Sequence, residues 1–285
     1  MVNSEALQLH HLPDHIVTVT FRESSRMAFL SRRWQQLWRC CCPKLVLKRG
    51  TMFQPKNTSM KRTRTKFARR VNSLLRHLCS PPTLRKFVVK FGLRRKHTCH
   101  VDVDVDGWVR FCAASRARHI AFDFTPGAKN IFKGLPDDKY IFPLHVFSGP
   151  DSSPSHVRSL NLAYVCLNTT TTVMLPECTA LEWLSIICCS YTELTLCKPL
   201  LRLRYLCMHY CNLEKIELEA PNLTSFDLIN RPIPLALSES PKVMKFKLLH
   251  KSVRYGDNLD YICTELPAVL PGVQKLSITS DTLHL

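Results

Sequence analysis

The sequence predicts an α/β protein whose bulk is a solenoid, a curved parallel sheet of stacked like turns, preceded by a small all-helical segment. Three observations carry that expectation. An apolar motif recurs across residues 157–285, glycine is scarce, and charge is split sharply between the first hundred residues and the rest.

The repeat comes first. The pattern apolar-x-x-apolar-x-apolar occurs at Val157-Leu160-Leu162, Leu181-Leu184-Ile186 and Leu203-Leu206-Met208. It continues at Leu223-Phe226-Leu228, Val243-Phe246-Leu248 and Val273-Leu276-Ile278, with starts 24, 22, 20, 20 and 30 residues apart. The eleventh position is also apolar or aromatic: Leu167, Tyr191, Leu213, Ile233, Val253 and Leu283. The ninth is cysteine in two units, Cys189 and Cys211. This is the leucine-rich-repeat consensus, with turns of about 20–29 residues. The fourth and sixth positions lie two apart, so both point to the same side of a short strand. No single unit can bury that side; stacked units build a continuous core. Looser copies at Leu84-Phe87-Val89 and Ala117-Ile120-Phe122 place irregular repeats over 84–156, within a domain of 67–285.

Glycine accounts for 8 of 285 residues, and none falls in G-x-G-x-x-G, G-x-x-x-x-G-K or G-x-S-x-G. Phosphate loops and nucleophile elbows need glycine where backbone meets ligand or bends sharply. H-E-x-x-H is absent too. The expectation is a non-enzyme with no catalytic residue and no cofactor.

Residues 1–100 hold 22 Lys and Arg against 3 Asp and Glu, while 101–285 hold 18 against 19. Within the basic third, Leu30, Trp34, Leu37 and Trp38 recur at helical spacing, and Pro43 follows Cys40–Cys42 as a helix stop. Residues 8–49 therefore read as a helical segment and 50–66 as a basic linker. Phe67, Val71, Leu74, Leu75 and Leu78 share one face of a further helix. Neither a leader-like apolar stretch nor a run of 18 apolar residues occurs. The 14 cysteines are therefore expected as thiols in the nucleus or cytoplasm.

Leu12-Pro13-Asp14-His15-Ile16-Val17, followed by Leu30-Ser31-Arg32-Arg33-Trp34-Gln35-Gln36-Leu37-Trp38, resembles the F-box of the plant F-box/leucine-rich-repeat family. Gly107-Trp108-Val109 opening a helix and Leu218-Glu219-Ala220-Pro221-Asn222-Leu223 entering a strand look like the same family. Thr18–Phe21 replace a longer apolar helix, and the chain stops at Leu285, so the resemblance is to a shortened F-box and a truncated C-terminus. It implies a substrate receptor of an SCF-type ubiquitin ligase, which holds a target while an outside enzyme does the chemistry. By resemblance, Leu12, Pro13, Asp14, Ile16, Val17, Leu30, Trp34, Leu37 and Trp38 dock the adaptor subunit of a cullin–RING ligase.

Target capture is expected on the concave face, where the third, fifth and seventh positions of each turn form ladders. Those ladders present Trp183, Tyr205, His209, Asp227, Lys245, Lys247 and Lys275. Trp183 beside Tyr205 is an aromatic pair of the kind that anchors interfaces.

Other features carry less. Cys207, His209 and Cys211, with Cys188-Cys189, lack paired zinc-ligand spacing, so no metal is expected. Asp102-x-Asp104-x-Asp106-Gly107 begins like a calcium loop, but Ala113 stands where the bidentate Glu belongs. That stretch reads as an exposed strand. The run Lys61–Arg70 suits a solvated face or an import signal better than nucleic-acid binding, since no aromatic interrupts Lys56–Lys66. The alternatives kept open are an adaptor-free interaction scaffold and, third, a nucleic-acid binder using the basic third; no membrane partner is expected.

Overall fold

The structure, a computed structural model, describes residues 44–53, 60–77, 84–93, 104–126, 139–148, 156–167, 175–190, 193–196, 198–211, 213–229, 233–238, 242–250 and 261–280. Every residue expected at the adaptor face, from Leu12 to Trp38, lies outside the described residues.

Nine parallel strands form one sheet. They begin with β1 (Lys44–Lys48), β2 (Lys86–Lys90), β3 (His119–Asp123) and β5 (Ser159–Ala163). They continue with β7 (Trp183–Ile187), β9 (Tyr205–His209), β11 (Ser225–Ile229), β13 (Lys245–His250) and β14 (Lys275–Ser280). The intervening numbers belong to short strands. β4 (Tyr140–Ile141) pairs with β6 (Val165–Cys166). β8 (Glu193–Thr195), β10 (Lys215–Glu219) and β12 (Leu235–Ser238) make a three-stranded parallel sheet. Helices Met60–His77 and Val105–Ala114 occupy the connections flanking β2.

Register follows the motif. Fourth positions pair in one unbroken row: Leu45, Phe87, Ile120, Leu160, Leu184, Leu206, Phe226, Phe246 and Leu276. A slip of one residue would turn that whole row to solvent, which is why the spacing specifies the pairing. All but the last of these are buried; Leu276, on the final strand, is 41% exposed. On the other side of the same core, Leu194, Ile216, Leu218, Leu235 and Leu237 face inward from the short strands.

Tyr164, Cys188 and Tyr210 take positive φ (59, 52 and 53°) just after β5, β7 and β9. Each turns its N–H onto the carbonyl that ends the next strand: Ile187, His209 and Ile229, at 2.9, 2.7 and 2.7 Å. The following cysteines then point inward. Cys189 Sγ donates toward the Leu162 and Ile187 carbonyls (3.5 and 3.4 Å), and Cys211 Sγ toward those of Ile186 and His209 (3.4 Å each). At the ninth position the thiol thus adds a side-chain donor to the turn, and the Ile187 and His209 carbonyls each accept from it as well as from a backbone N–H.

Three local expectations are corrected. Lys44–Lys48, assigned to the helical segment 8–49, is the first strand of the sheet, with Leu45 and Leu47 buried beside Phe87 and Val89. The basic linker 50–66 is partly helix: Arg49–Met52 forms one turn, and Met60–His77 starts well before Phe67. Lys and Arg are good helix formers, and buried Thr63 extends the stripe of Phe67, Val71 and Leu74 by a turn. The Asp102–Gly107 stretch does not form a strand over its described part. Asp104 caps the helix Val105–Ala114, its carboxylate accepting from the Gly107 N–H at 2.7 Å. A Cβ at Gly107 would sit 2.0 Å from that carboxylate, so glycine is what lets the cap close.

Candidate functional site: the open face of the nine-stranded sheet

With the fourth and sixth positions turned inward, the third, fifth and seventh necessarily line the other face. The third-position row reads Lys44, Lys86, His119, Ser159, Trp183, Tyr205, Ser225, Lys245 and Lys275 across paired strands. Trp183 and Tyr205 are therefore neighbours by register, and their rings stack with centroids 3.6 Å apart and planes 21° from parallel. Trp183 remains 43% exposed. Stacking accounts for one face of the indole and leaves a large apolar surface in water.

Two strands' worth of polar contacts hold this pair. The Tyr205 hydroxyl donates to Asp227 at 2.7 Å, and burial together with that carboxylate pushes the phenol well above its ordinary range. Cys207, between Ser185 and Asp227 on the fifth-position row, is buried and its thiol is likewise raised by burial. His209 ends β9 and is held below the ordinary histidine value, by burial first and then by Lys247, with Asp227 opposing. Its Nε2 makes no hydrogen bond. Lys245, Lys247 and Lys275 stand exposed on the last two strands.

All seven residues expected at the target face thus lie on one sheet face, spread over β7 to β14. Trp183, Tyr205 and Asp227 are brought together; Lys247 adjoins Asp227 in register, and Lys245 and Lys275 lie beyond it toward the end of the sheet. Sequence reasoning missed the other end. Lys44, Lys48, Lys86 and Lys90 lie on the same face of β1 and β2, with Lys90 paired to Asp123 at 2.6 Å. It also missed a row of arginines at the second position, Arg85, Arg118, Arg158 and Arg204, interrupted by Glu182. The available signal was the repeat itself, had the second position been read alongside the others.

The cysteines do not converge on an ion site. Cys207 faces the open side while Cys189 and Cys211 are spent on carbonyls within the core, and no group of three metal-ligating side chains occurs among the described residues. No helix among them is long and apolar enough to cross a membrane.

Residues 152–284 match the family model described as At1g61320/AtMIF1, LRR domain. No curated protein and no solved structure matches the chain. The match takes in the last six strands of the sheet, and its register continues unbroken into β3, β2 and β1. Over these residues the chain is similar to a leucine-rich-repeat domain, the nine-stranded parallel sheet is consistent with a solenoid of that kind, and such a domain suggests protein–protein interaction.

Proposed function

We propose that this chain is the substrate-recognition subunit of an SCF-type ubiquitin ligase, acting in the nucleus or cytoplasm. The segment resembling a plant F-box docks the adaptor of a cullin–RING ligase, and the sheet face holds the target. The observation that carries target capture is the Trp183–Tyr205 stack, an exposed aromatic anchor on an open sheet. Adaptor docking is supported by the Leu12-Pro13-Asp14 and Leu30–Trp38 motifs. The chain itself catalyses nothing; it raises the local concentration of target lysines near an enzyme carried elsewhere in the complex.

The test is direct binding of the purified full chain to the adaptor subunit. A stable complex, lost when Leu12→Asp and Trp34→Asp are combined, is the expected result. Absence of a complex at tens of micromolar overturns the ligase role and leaves an adaptor-free interaction scaffold.

A further inference from the structure

We propose that the open sheet face takes an extended acidic segment of a partner protein, about nine residues long, with carboxylates at both ends and an apolar residue between them. This rests on the assignment of target capture to this face, and not on adaptor docking.

Charge along the face is arranged in three zones. Lys44, Lys48, Lys86 and Lys90 occupy the first two strands, and Lys245, Lys247 and Lys275 the last two. Between them the outward positions of β5 and β7 carry Ser159, Asn161 and Ala163 paired with Trp183, Ser185 and Ile187, and Trp183 is the large exposed side chain among them. The acids on these rows are Asp123, which pairs with Lys90 and takes that lysine out of the available cations, and Asp227, which accepts from the neutral Tyr205 hydroxyl and lies beside Lys247. Cations therefore flank a mixed centre whose exposed apolar side chain is Trp183.

The arginine row strengthens one side. These residues precede their strands, yet the backbone keeps them in register. The Arg118 carbonyl accepts from the Arg158 and Ser159 N–H groups at 2.8 and 3.1 Å. The Arg158 carbonyl does the same for Glu182 and Trp183 (2.8 and 3.1 Å), and that of Glu182 for Arg204 and Tyr205 (3.0 and 3.1 Å). One side chain per strand results, about 4.8 Å from the next, with Arg158 ion-paired to Glu182 at 3.4 Å. His119, beside Lys86, is held below its ordinary value by burial first, then by Lys86, Arg85 and Arg158. Burial itself favours neither sign of charge; the part of the shift that comes from Lys86, Arg85 and Arg158, opposed by Glu182, is what marks a positive field there.

Length follows from the topology. Lys86 and Lys245 stand six strand steps apart, roughly 29 Å, which an extended chain at about 3.3 Å per residue spans in about nine residues. A nucleic acid fits less well. A base stacked on Trp183 would carry phosphates on both sides, one of them toward Asp227, whose charge the Tyr205 hydroxyl does not neutralise, and like charges at close range oppose binding. A peptide can place its carboxylates only over the cations.

The test uses the purified full chain and a labelled synthetic peptide of about nine residues, with glutamates at both ends and leucines between. A lysine-ended peptide of the same middle, an all-glutamate peptide and a single-stranded DNA oligonucleotide of similar charge serve as rivals. The expected result is affinity at least about tenfold above each rival. Lys86→Glu with Lys245→Glu, and separately Trp183→Ala, should each weaken it about tenfold or more. Lys215→Glu on β10, away from the face, should leave it unchanged. All substituted side chains are exposed, and circular dichroism checks that each variant is folded. Equal binding of the lysine-ended peptide, tighter binding of the oligonucleotide, or indifference to the face variants overturns the proposal. Adaptor binding is measured on the same samples. Adaptor binding without peptide binding sinks this inference alone, and peptide binding without adaptor binding upholds it while sinking the ligase role.

Discussion

The Tyr205 hydroxyl donates to the Asp227 carboxylate on the neighbouring strand, 2.7 Å away, and so holds the ring on which Trp183 lies. Tyr205→Phe keeps the stack and removes only that bond. It should cost about 0.5–1.5 kcal/mol of stability, read as a lowered urea midpoint. Trp183→Ala removes a half-exposed side chain and should cost less than about 1 kcal/mol, while abolishing most of any binding to this face. A large stability loss from Trp183→Ala would show that the indole belongs to the core instead.

A second bond ties the basic helix to the rest. The Trp108 indole N–H donates to the Asn72 side-chain oxygen at 2.6 Å, with Trp108 almost wholly buried against Phe67. Asn72→Ala leaves a buried donor unpaired and should cost about 1–3 kcal/mol. In the Trp108→Phe background the same substitution should cost markedly less, because no donor is stranded. Equal costs in the two backgrounds of a denaturation cycle would refute the bond's role.

Stability should fall with acid. His119 and His209 are both held below their ordinary value of 6.5 in the folded chain, chiefly by burial. As pH drops through that value the unfolded chain takes up protons that the folded chain does not, so the folded state loses stability until its own histidines protonate. Urea midpoints taken from pH 8 downward should decline below about pH 7, and His119→Gln combined with His209→Gln should flatten the decline. A midpoint that rises toward acid contradicts the sign.

Thiol reactivity should follow burial. Cys178 and Cys189 are pushed up to about 12 by burial, and Cys112 and Cys211 are raised well above the ordinary thiol value for the same reason. Cys263 is exposed. Native labelling mapped by mass spectrometry should modify Cys263 and spare those four until denaturant is added. Prompt labelling of Cys189 or Cys211 would mean that the inward cysteine contacts open readily.

Much of the sheet was readable because its signal is dense: three inward apolar positions per turn, repeated six times from Val157. β2 and β3 were visible only as loose copies, since long connections break their spacing. β1 was missed because Leu45 and Leu47 alone mark it, directly after a proline and a cysteine run that read as a helix end. The short strands β8, β10 and β12 bury one or two residues each, too few to show alternation. In the helix Met60–His77 the run of basic residues hid a stripe that begins at Thr63, since a buried threonine looks polar in sequence. At the site, the aromatic pair could be read from the ladder, but its Tyr205–Asp227 clasp depends on side-chain geometry. The arginine row escaped because those residues sit outside the strands, and only the backbone bonds between turns reveal their register.

The proposed function has one chain join an adaptor to a target through separate surfaces. Its most direct test is the mass of the complex formed when full chain, adaptor and the acidic peptide are mixed. A three-part assembly, in which saturating adaptor leaves the peptide's affinity unchanged, is the expected outcome. Displacement of one partner by the other, or a chain that never holds both, would contradict it.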